Sequence, residues 1–270
     1  MQERKTILMK LKQTEVSALH EKGIKIICLS MGAGVQTTAV LLKYWKRYLN
    51  GYIIFADTGD EKAETYWYIE NYLKPFCKEK GLRWVTVKHK HGFSLMDWCM
   101  KRKIIPIRTR RWCTSDFKVK PINRFIRSLG AKTKTPVYTD IGISLDESHR
   151  ANFSKNGPKY VIAEYPLLDD NITRRECYTI IEKKGWPQPP KSGCDFCPYT
   201  KRKDMRKLLA EEPERFLKIV SMEKNDRYYP KKPLIGVSPL ENLLLNTSMD
   251  DFTDDEDVQL DSCDSGHCFV

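Results

Sequence analysis

Five of the nine cysteines in this chain fall where thiol chemistry is easily built. Cys194-Asp-Phe-Cys197-Pro lies in a loop bounded by Gly and Pro. Its two-residue spacing suits one tetrahedral metal or one edge of a cluster, and equally a redox dithiol. Cys113 lies in an Arg-Trp-Cys-Thr stretch, and Cys263 and Cys268, with His267 beside them, fall in the last eight residues. The other four (Cys28, Cys77, Cys99 and Cys177) lie in apolar or helical stretches and read as packing residues. Clustered thiols in a reducing compartment point to metal or redox work rather than a disulfide framework.

A second group could hold phosphate. In Ser30-Met-Gly32-Ala-Gly34-Val-Gln36-Thr37-Thr38 the glycines let backbone approach an anion, and the following helix offers its unpaired N–H groups. The hydroxyls of Ser30, Thr37 and Thr38 add donors. A Walker loop is excluded because the Lys before its hydroxyl residue is missing. A dinucleotide fingerprint stays open: Gly32-x-Gly34 follows a strand, and Asp57 ends the next one, although Thr37 stands where a third glycine belongs. A tight turn without a ligand is the bland alternative. Asp57 and Thr58 begin an Asp-Thr-Gly-Asp-Glu stretch at a strand end, where Asp57 could hold Mg²⁺ or a ribose, or cap a helix.

The bulk composition narrows the setting. The formal charge is +12, yet residues 250–270 carry eight acids and no Lys or Arg, so removing them leaves the body at +20. So basic a body favours polyanionic partners, nucleotides or nucleic acid, over a merely solvated Lys-rich surface. No apolar run is long enough for a membrane span, and residues 1–12 lack the apolar core of a signal peptide. The expectation is a cytoplasmic protein without a membrane partner.

These residues need elements to place them. The run 23–29 reads as a buried strand, 35–48 as a helix, 52–56 as a strand, 63–77 as an amphipathic helix and 84–88 as a third strand. Helices follow near 93–101 and 118–129, with a strand at 137–143. This alternation predicts an α/β fold, a mostly parallel sheet with helices on both faces. Thr173 with Glu176 three residues later forms a capping box for a helix ending at Gly185. Two short helices are expected at 203–210 and 213–222. The expected division is a nucleotide-binding α/β domain at 1–170, a small helical C-x-x-C subdomain at 171–245 and a flexible acidic tail at 246–270.

Five segments in order resemble one family. They are the loop Ser30 to Thr38; Phe55-Ala-Asp57-Thr-Gly-Asp-Glu61 with Glu64-Thr65; Arg111-Trp-Cys113-Thr-x-x-x-Lys118-x-x-Pro121; Gly142-Ile-x-x-Asp146-Glu147-Ser-His-Arg150; and Cys194-x-x-Cys197-Pro. Together they are similar to the phosphoadenosine phosphosulfate (PAPS) reductase family of the PP-loop ATP pyrophosphatases (adenine nucleotide alpha hydrolase-like). The family loop carries an acid where this chain has Gln36, which can hydrogen-bond but brings no charge.

The resemblance implies that Ser30, Gly32, Gly34, Gln36, Thr37 and Thr38 hold adenine-nucleotide phosphates (ATP, or APS/PAPS), with Asp57 and Thr58 facing ribose or Mg²⁺. Arg111 and Lys118 would neutralise phosphate or sulfate. Gly142, Asp146, Glu147 and Arg150 would line the site from across it, with an internal salt bridge as the alternative for the charged three. Cys113, Cys194 and Cys197 would bind a 4Fe-4S cluster, with zinc or no metal as the alternatives. Cys268, Cys263, His267 or an open iron site would complete the set. Cys268 or Cys263 could instead attack a substrate sulfur.

Three functions follow. One is ATP-dependent thiolation of a nucleic-acid base in tRNA or DNA, with a sulfur donor or reductant protein as partner. A second is sulfonucleotide reduction with a C-terminal Cys nucleophile. The third is a non-catalytic nucleotide- or nucleic-acid-binding module. The body charge and the C-x-x-C favour thiolation, the terminal cysteines reduction.

Overall fold

The computed structural model describes residues 18–108, 111–228, 233–235 and 239–245, apart from the side chains of 152–156 and 245. The acidic tail, with Cys263, His267 and Cys268, lies outside the described residues.

Among the described residues, five short strands form one all-parallel sheet: β1 (Ile27–Met31), β2 (Ile53–Ala56), β3 (Trp84–Val87), β4 (Val137–Asp140) and β5 (Val161–Glu164). Their spatial order is β3-β2-β1-β4-β5. The chain runs outward from β1 in one direction through β2 and β3, then returns to the other side of β1 with β4. The crossover direction therefore reverses between β1 and β4. In open parallel sheets that reversal opens a crevice at the carboxyl ends of the two strands, the usual ligand position.

The residues explain the layers. Strand side chains alternate between faces, so Leu29, Met31, Ile53 and Phe55 enter one core while Cys28, Ile54 and Ala56 enter another. The first core is covered by α1 (Val35–Tyr44), by the long helix α2 (63–79), and by α6 (Arg174–Lys183) through Cys177 and Ile181. The second is covered by Ile122 and Ile126 of α4 (114–128) and by Leu129 just after it. Helix α6, which the sequence reading grouped with the C-terminal part, thus shares its core with the sheet. Its capping box is formed as expected, Thr173 and Glu176 each satisfying the other's backbone.

Two helices contain a wide turn, and both turns precede a proline. Helix α2 runs as Ala63–Tyr68, a π segment Ile69–Leu73, then Lys74–Glu79, with Pro75 opening the last part. Helix α4 begins with a π segment Thr114–Val119 and continues as Lys120–Ser128, with Pro121 at its start. Proline lacks the N–H that would bond four residues back, and its ring crowds that carbonyl. Widening the preceding turn relieves the clash without ending the helix. Hence α4 starts at Thr114 rather than 118, and the turn carrying Lys118 is π.

A third core lies beside the sheet. Leu95, Met96 and Cys99 of α3 (Leu95–Arg102) and Phe117 pack with Cys194 and Phe196. Met205 of α7 (Arg202–Glu211) and Phe216 and Ile219 of α8 (Pro213–Lys224) complete it. Helix α5 (Pro166–Asp169) is a single turn between β5 and α6. Strand β5 escapes the sequence reading because it is a four-residue edge strand without a continuous buried face. The first strand begins four residues later than read, because Gly23 sits in a left-handed turn (φ 70°) and the β1–β4 ladder registers from Ile27.

Candidate functional site

The glycine loop stands at the switch point. Strand β1 ends at Met31, Ala33 takes a left-handed φ of 58°, and Gly34 is the extended residue before α1. Alanine pays steric strain in that conformation, a mark of a backbone shaped for a task. No side chain caps α1, so side chains leave the N–H groups of its first turn to an outside acceptor. The Thr37 hydroxyl donates to the Gly34 carbonyl at 3.2 Å. Thr38 Oγ1 is buried with no hydrogen-bond partner among the described residues. Ser30 is buried beneath the loop.

Gly142, just beyond β4, closes this cradle. A Cβ there would lie 2.9 Å from the Thr37 backbone nitrogen and 2.9 Å from its methyl group. Only glycine lets the segment after β4 and the first turn of α1 come so close. Across the same crevice, Gln36 Nε2 donates to Glu147 Oε2 at 3.1 Å, and the buried Arg150 pairs with that same carboxylate. Two of the three charged residues expected across the site therefore meet, with Gln36 joined to them. Asp146 turns away and accepts the Arg174 backbone N–H at the start of α6.

Asp57 ends β2 at the same sheet edge. Its carboxylate accepts Gly59 N–H at 2.8 Å and the Tyr66 hydroxyl at 2.7 Å, and pairs with Lys88 Nζ at 3.1 Å. Burial pushes its pKa up, but the Tyr66 and Gly59 hydrogen bonds and Lys88 together bring it below the ordinary carboxylate value. It is a held anion, available to a cation that displaces Lys88.

The cysteine loop docks directly on the strand end after Asp57. Glu61 and Cys194 form an antiparallel bridge, Lys62 N–H donates to Gly193 O, and Asp195 N–H donates to Asp60 O. The Thr58 hydroxyl contacts Cys194 Sγ at 3.2 Å and Glu61 Oε1 at 3.2 Å. Lys118 Nζ reaches the same Glu61 oxygen at 3.1 Å. From the helical side, Arg215 bridges Asp60 (2.7 Å) and Asp195 (3.1 Å).

Cys113, Cys194 and Cys197 line one cleft, together with Thr58, Arg111 and Lys118. Burial, with Glu61 nearby, pushes the Cys194 thiol well above its ordinary pKa, against the opposing pull of Lys118 and Thr58. Such a thiol stays protonated unless a bound cation draws the proton off. Three soft donors lining one cleft fit an iron–sulfur centre or zinc in kind. Among the described residues, however, no three His, Cys, Asp or Glu side chains stand as a ligating group.

Cleft and glycine loop share a wall. A Cβ on Gly34 would meet Ser192 Oγ at 3.1 Å, and Ser192 is two residues from Cys194. The sequence reading named the glycines, Asp57, Arg111, Lys118 and the three cysteines as candidates. It did not single out Glu61, Tyr66, Lys88, Ser192 or Arg215 as site residues. Ser192 could have been noticed from its place beside Gly193 and Cys194, whereas nothing local marks Arg215.

No family model and no curated protein matches this chain. Among solved structures it is similar to the phosphoadenylyl-sulfate (PAPS) reductase of Candida auris in its phosphate complex. The two share 16% identity over 65% of this chain and 80% of that one, with a TM-score of 0.42. It is also similar to the U34-tRNA thiolase NcsA of Methanococcus maripaludis with its 4Fe-4S cluster, at 17% identity over 90% and 82% of the two chains and a TM-score of 0.43. At so low a level of likeness, function rests on this chain's own residues. No helix among the described residues is long and apolar enough to cross a membrane.

Proposed function

We propose that this chain is a PP-loop enzyme of the PAPS reductase-like group, catalysing ATP-dependent thiolation of a nucleic-acid base. One observation carries the reading: the uncapped glycine loop and the three-cysteine cleft meet across Gly34 and Ser192, with Thr58 touching Cys194. An activating nucleotide and a sulfur-handling centre would then serve one acceptor. The basic body, +20 outside the tail, suits a nucleic acid.

In this reading the first turn of α1, with Ser30, Gly32, Gly34, Thr37 and Thr38, holds the phosphates of ATP. Asp57 offers its carboxylate to Mg²⁺ or ribose. The acceptor's carbonyl oxygen attacks the α-phosphorus, pyrophosphate leaves, and a sulfur nucleophile then displaces AMP. Arg111 and Lys118 balance the anionic charge at the cleft, Lys118 being fixed by Glu61. Glu147 orients Gln36 at the loop. Cys113, Cys194 and Cys197 would hold the iron–sulfur centre, with Cys268 as the fourth thiol. A bound cluster supplies a site at which sulfur from a donor protein can be held for transfer.

The test is product identity. Purified anaerobically, the protein is incubated with ATP, Mg²⁺, sulfide and tRNA or DNA, and pyrophosphate is measured. Acceptor-dependent pyrophosphate release supports thiolation. Sulfite release from APS or PAPS, lost in Cys268→Ser, would establish sulfonucleotide reduction instead, the reading favoured by the terminal Cys263 and Cys268. Nucleotide binding with neither product would reduce the chain to a binding module.

A further inference from the structure

Beyond β3, residues 88–103 carry Lys88, Lys90, Lys101, Arg102 and Lys103, the histidines His89 and His91, and one acid, Asp97. All five cations are exposed. Between them the rings are organised. His91 lies parallel to Trp98 (14°, centroids 6.4 Å apart), and Phe93 tilts against Trp98 at 5.6 Å. His89, buried beneath, contacts Trp98 at 4.8 Å and stacks on Phe117 at 4.6 Å and 15°. The Arg102 guanidinium lies 5.4 Å above the Trp98 ring and Lys101 Nζ lies 4.5 Å from Phe93. His91 is exposed, and Phe93 and Trp98 are each partly exposed.

This platform adjoins the candidate site. Lys88 pairs with Asp57, and Leu95 N–H donates to Thr58 O at 2.9 Å. Leu95 itself lines the cysteine cleft, and Phe117 immediately precedes Lys118.

From this geometry we infer that His91, Phe93 and Trp98, flanked by Lys90, Lys101 and Arg102, form a stacking platform for an unpaired base of a single-stranded nucleic acid, presented to the cysteine cleft. Resting on the thiolation reading, the inference names the part of the acceptor that reaches the site. Aromatic faces interleaved with cations suit a single strand, because bases stack on the rings while cations follow the phosphates. A duplex keeps its bases stacked and offers this surface only phosphates.

The experiment is a fluorescence-anisotropy titration of labelled single-stranded RNA, single-stranded DNA and a duplex of the same sequence, at fixed salt, with the full chain. His91→Ala and Trp98→Ala are expected to weaken the preferred single strand about tenfold, equivalent to ~1.4 kcal/mol. The duplex should change less than about twofold, and Trp98→Phe should restore most of the loss. A preference between the RNA and DNA arms identifies the source of the base. His91 is exposed, so His91→Ala keeps the test valid if Trp98→Ala fails to fold. Equal losses on duplex and single strand, or none on either, overturn the platform. Acceptor-dependent pyrophosphate release persisting beside unchanged binding would reject the platform and leave the thiolation reading standing. No pyrophosphate release from wild type, with Trp98-dependent binding of single strands, would do the reverse.

Discussion

The hydroxyl of Thr58 stands 3.2 Å from the sulfur of Cys194, although 136 residues separate them in the chain. Through this contact the strand end that carries Asp57 becomes one wall of the cysteine cleft. The neighbouring pairing of residues 60–62 with 193–195 turns it into a short added ladder.

Cys194 is central to the metal question. Anaerobically purified wild type should contain about four irons and four sulfides per chain, with a broad visible absorption band, as 4Fe-4S centres have. Cys194→Ser should lose the metal and the band, and Thr58→Val should lower metal occupancy without abolishing it. One zinc, or no metal, in the wild type would reject the cluster.

Gly142→Ala puts a methyl group 2.9 Å from the Thr37 backbone nitrogen, where backbone and not a flexible side-chain end must give way. Overpacking of this kind costs about 1–3 kcal/mol. The displaced turn is the one that would meet phosphate, so ATP affinity should fall by about tenfold or more. Calorimetric titration with ATP and a thermal melt check the two effects separately. Unchanged ATP binding would remove the α1 N-terminus from the site.

Arg215→Ala should be the costlier change on the helical side. It strips the buried Asp60 carboxylate of its guanidinium partner, leaving it the Met96 N–H as donor, and releases Asp195 from the same arm. Breaking a buried pair from one side costs about 3 kcal/mol. For a chain of this size that is a melting shift of roughly 6–12 °C. Arg215→Lys should recover part of it, because a single ammonium cannot span both carboxylates as the guanidinium does. Differential scanning calorimetry measures both.

Gln36→Glu would set a second carboxylate about where Gln36 Nε2 now lies, 3.1 Å from Glu147. Like charges at that distance destabilise each other, so the variant should melt below wild type in chelator. Mg²⁺ should restore more stability to the variant than to wild type, since a cation binding only the folded state raises its stability. Identical melting with and without Mg²⁺ would argue against a cation at this end of the loop.

Asp195 sets a pH dependence. Burial lifts its pKa from the ordinary 3.8 to about 6, outweighing the opposing pull of Arg215. The folded state then holds this proton more tightly than the unfolded chain, so stability falls as pH rises from about 4 to about 6. Asp195→Asn should flatten that part of the stability–pH curve. Urea melts across this range decide it, and a slope unchanged in the variant would assign the effect elsewhere.

Much of the frame was legible in residue order. Apolar runs of five to seven residues alternating with amphipathic helices placed β1 to β4 and the helices between them, and the glycines at 32 and 34 marked the turn at the switch point. The edge strand β5 and the early start of α4 were missed for local reasons. One strand is too short and too exposed to show a pattern, and the π turn before Pro121 disguises the helical period.

By itself the sequence determined an α/β sheet with a glycine turn after the first strand, and a set of cysteines too clustered to be packing alone. These are short-range properties: backbone freedom at glycine and side-chain periodicity act over a few residues. Only the tertiary structure decided that Cys113, Cys194 and Cys197 line one cleft, that this cleft shares a wall with the glycine loop, and that Arg215 ties the cysteine loop to the turn after β2. Each of those depends on contacts between residues tens to more than a hundred positions apart. Such contacts are chosen by burial and charge pairing in the folded chain, and no local pattern records them.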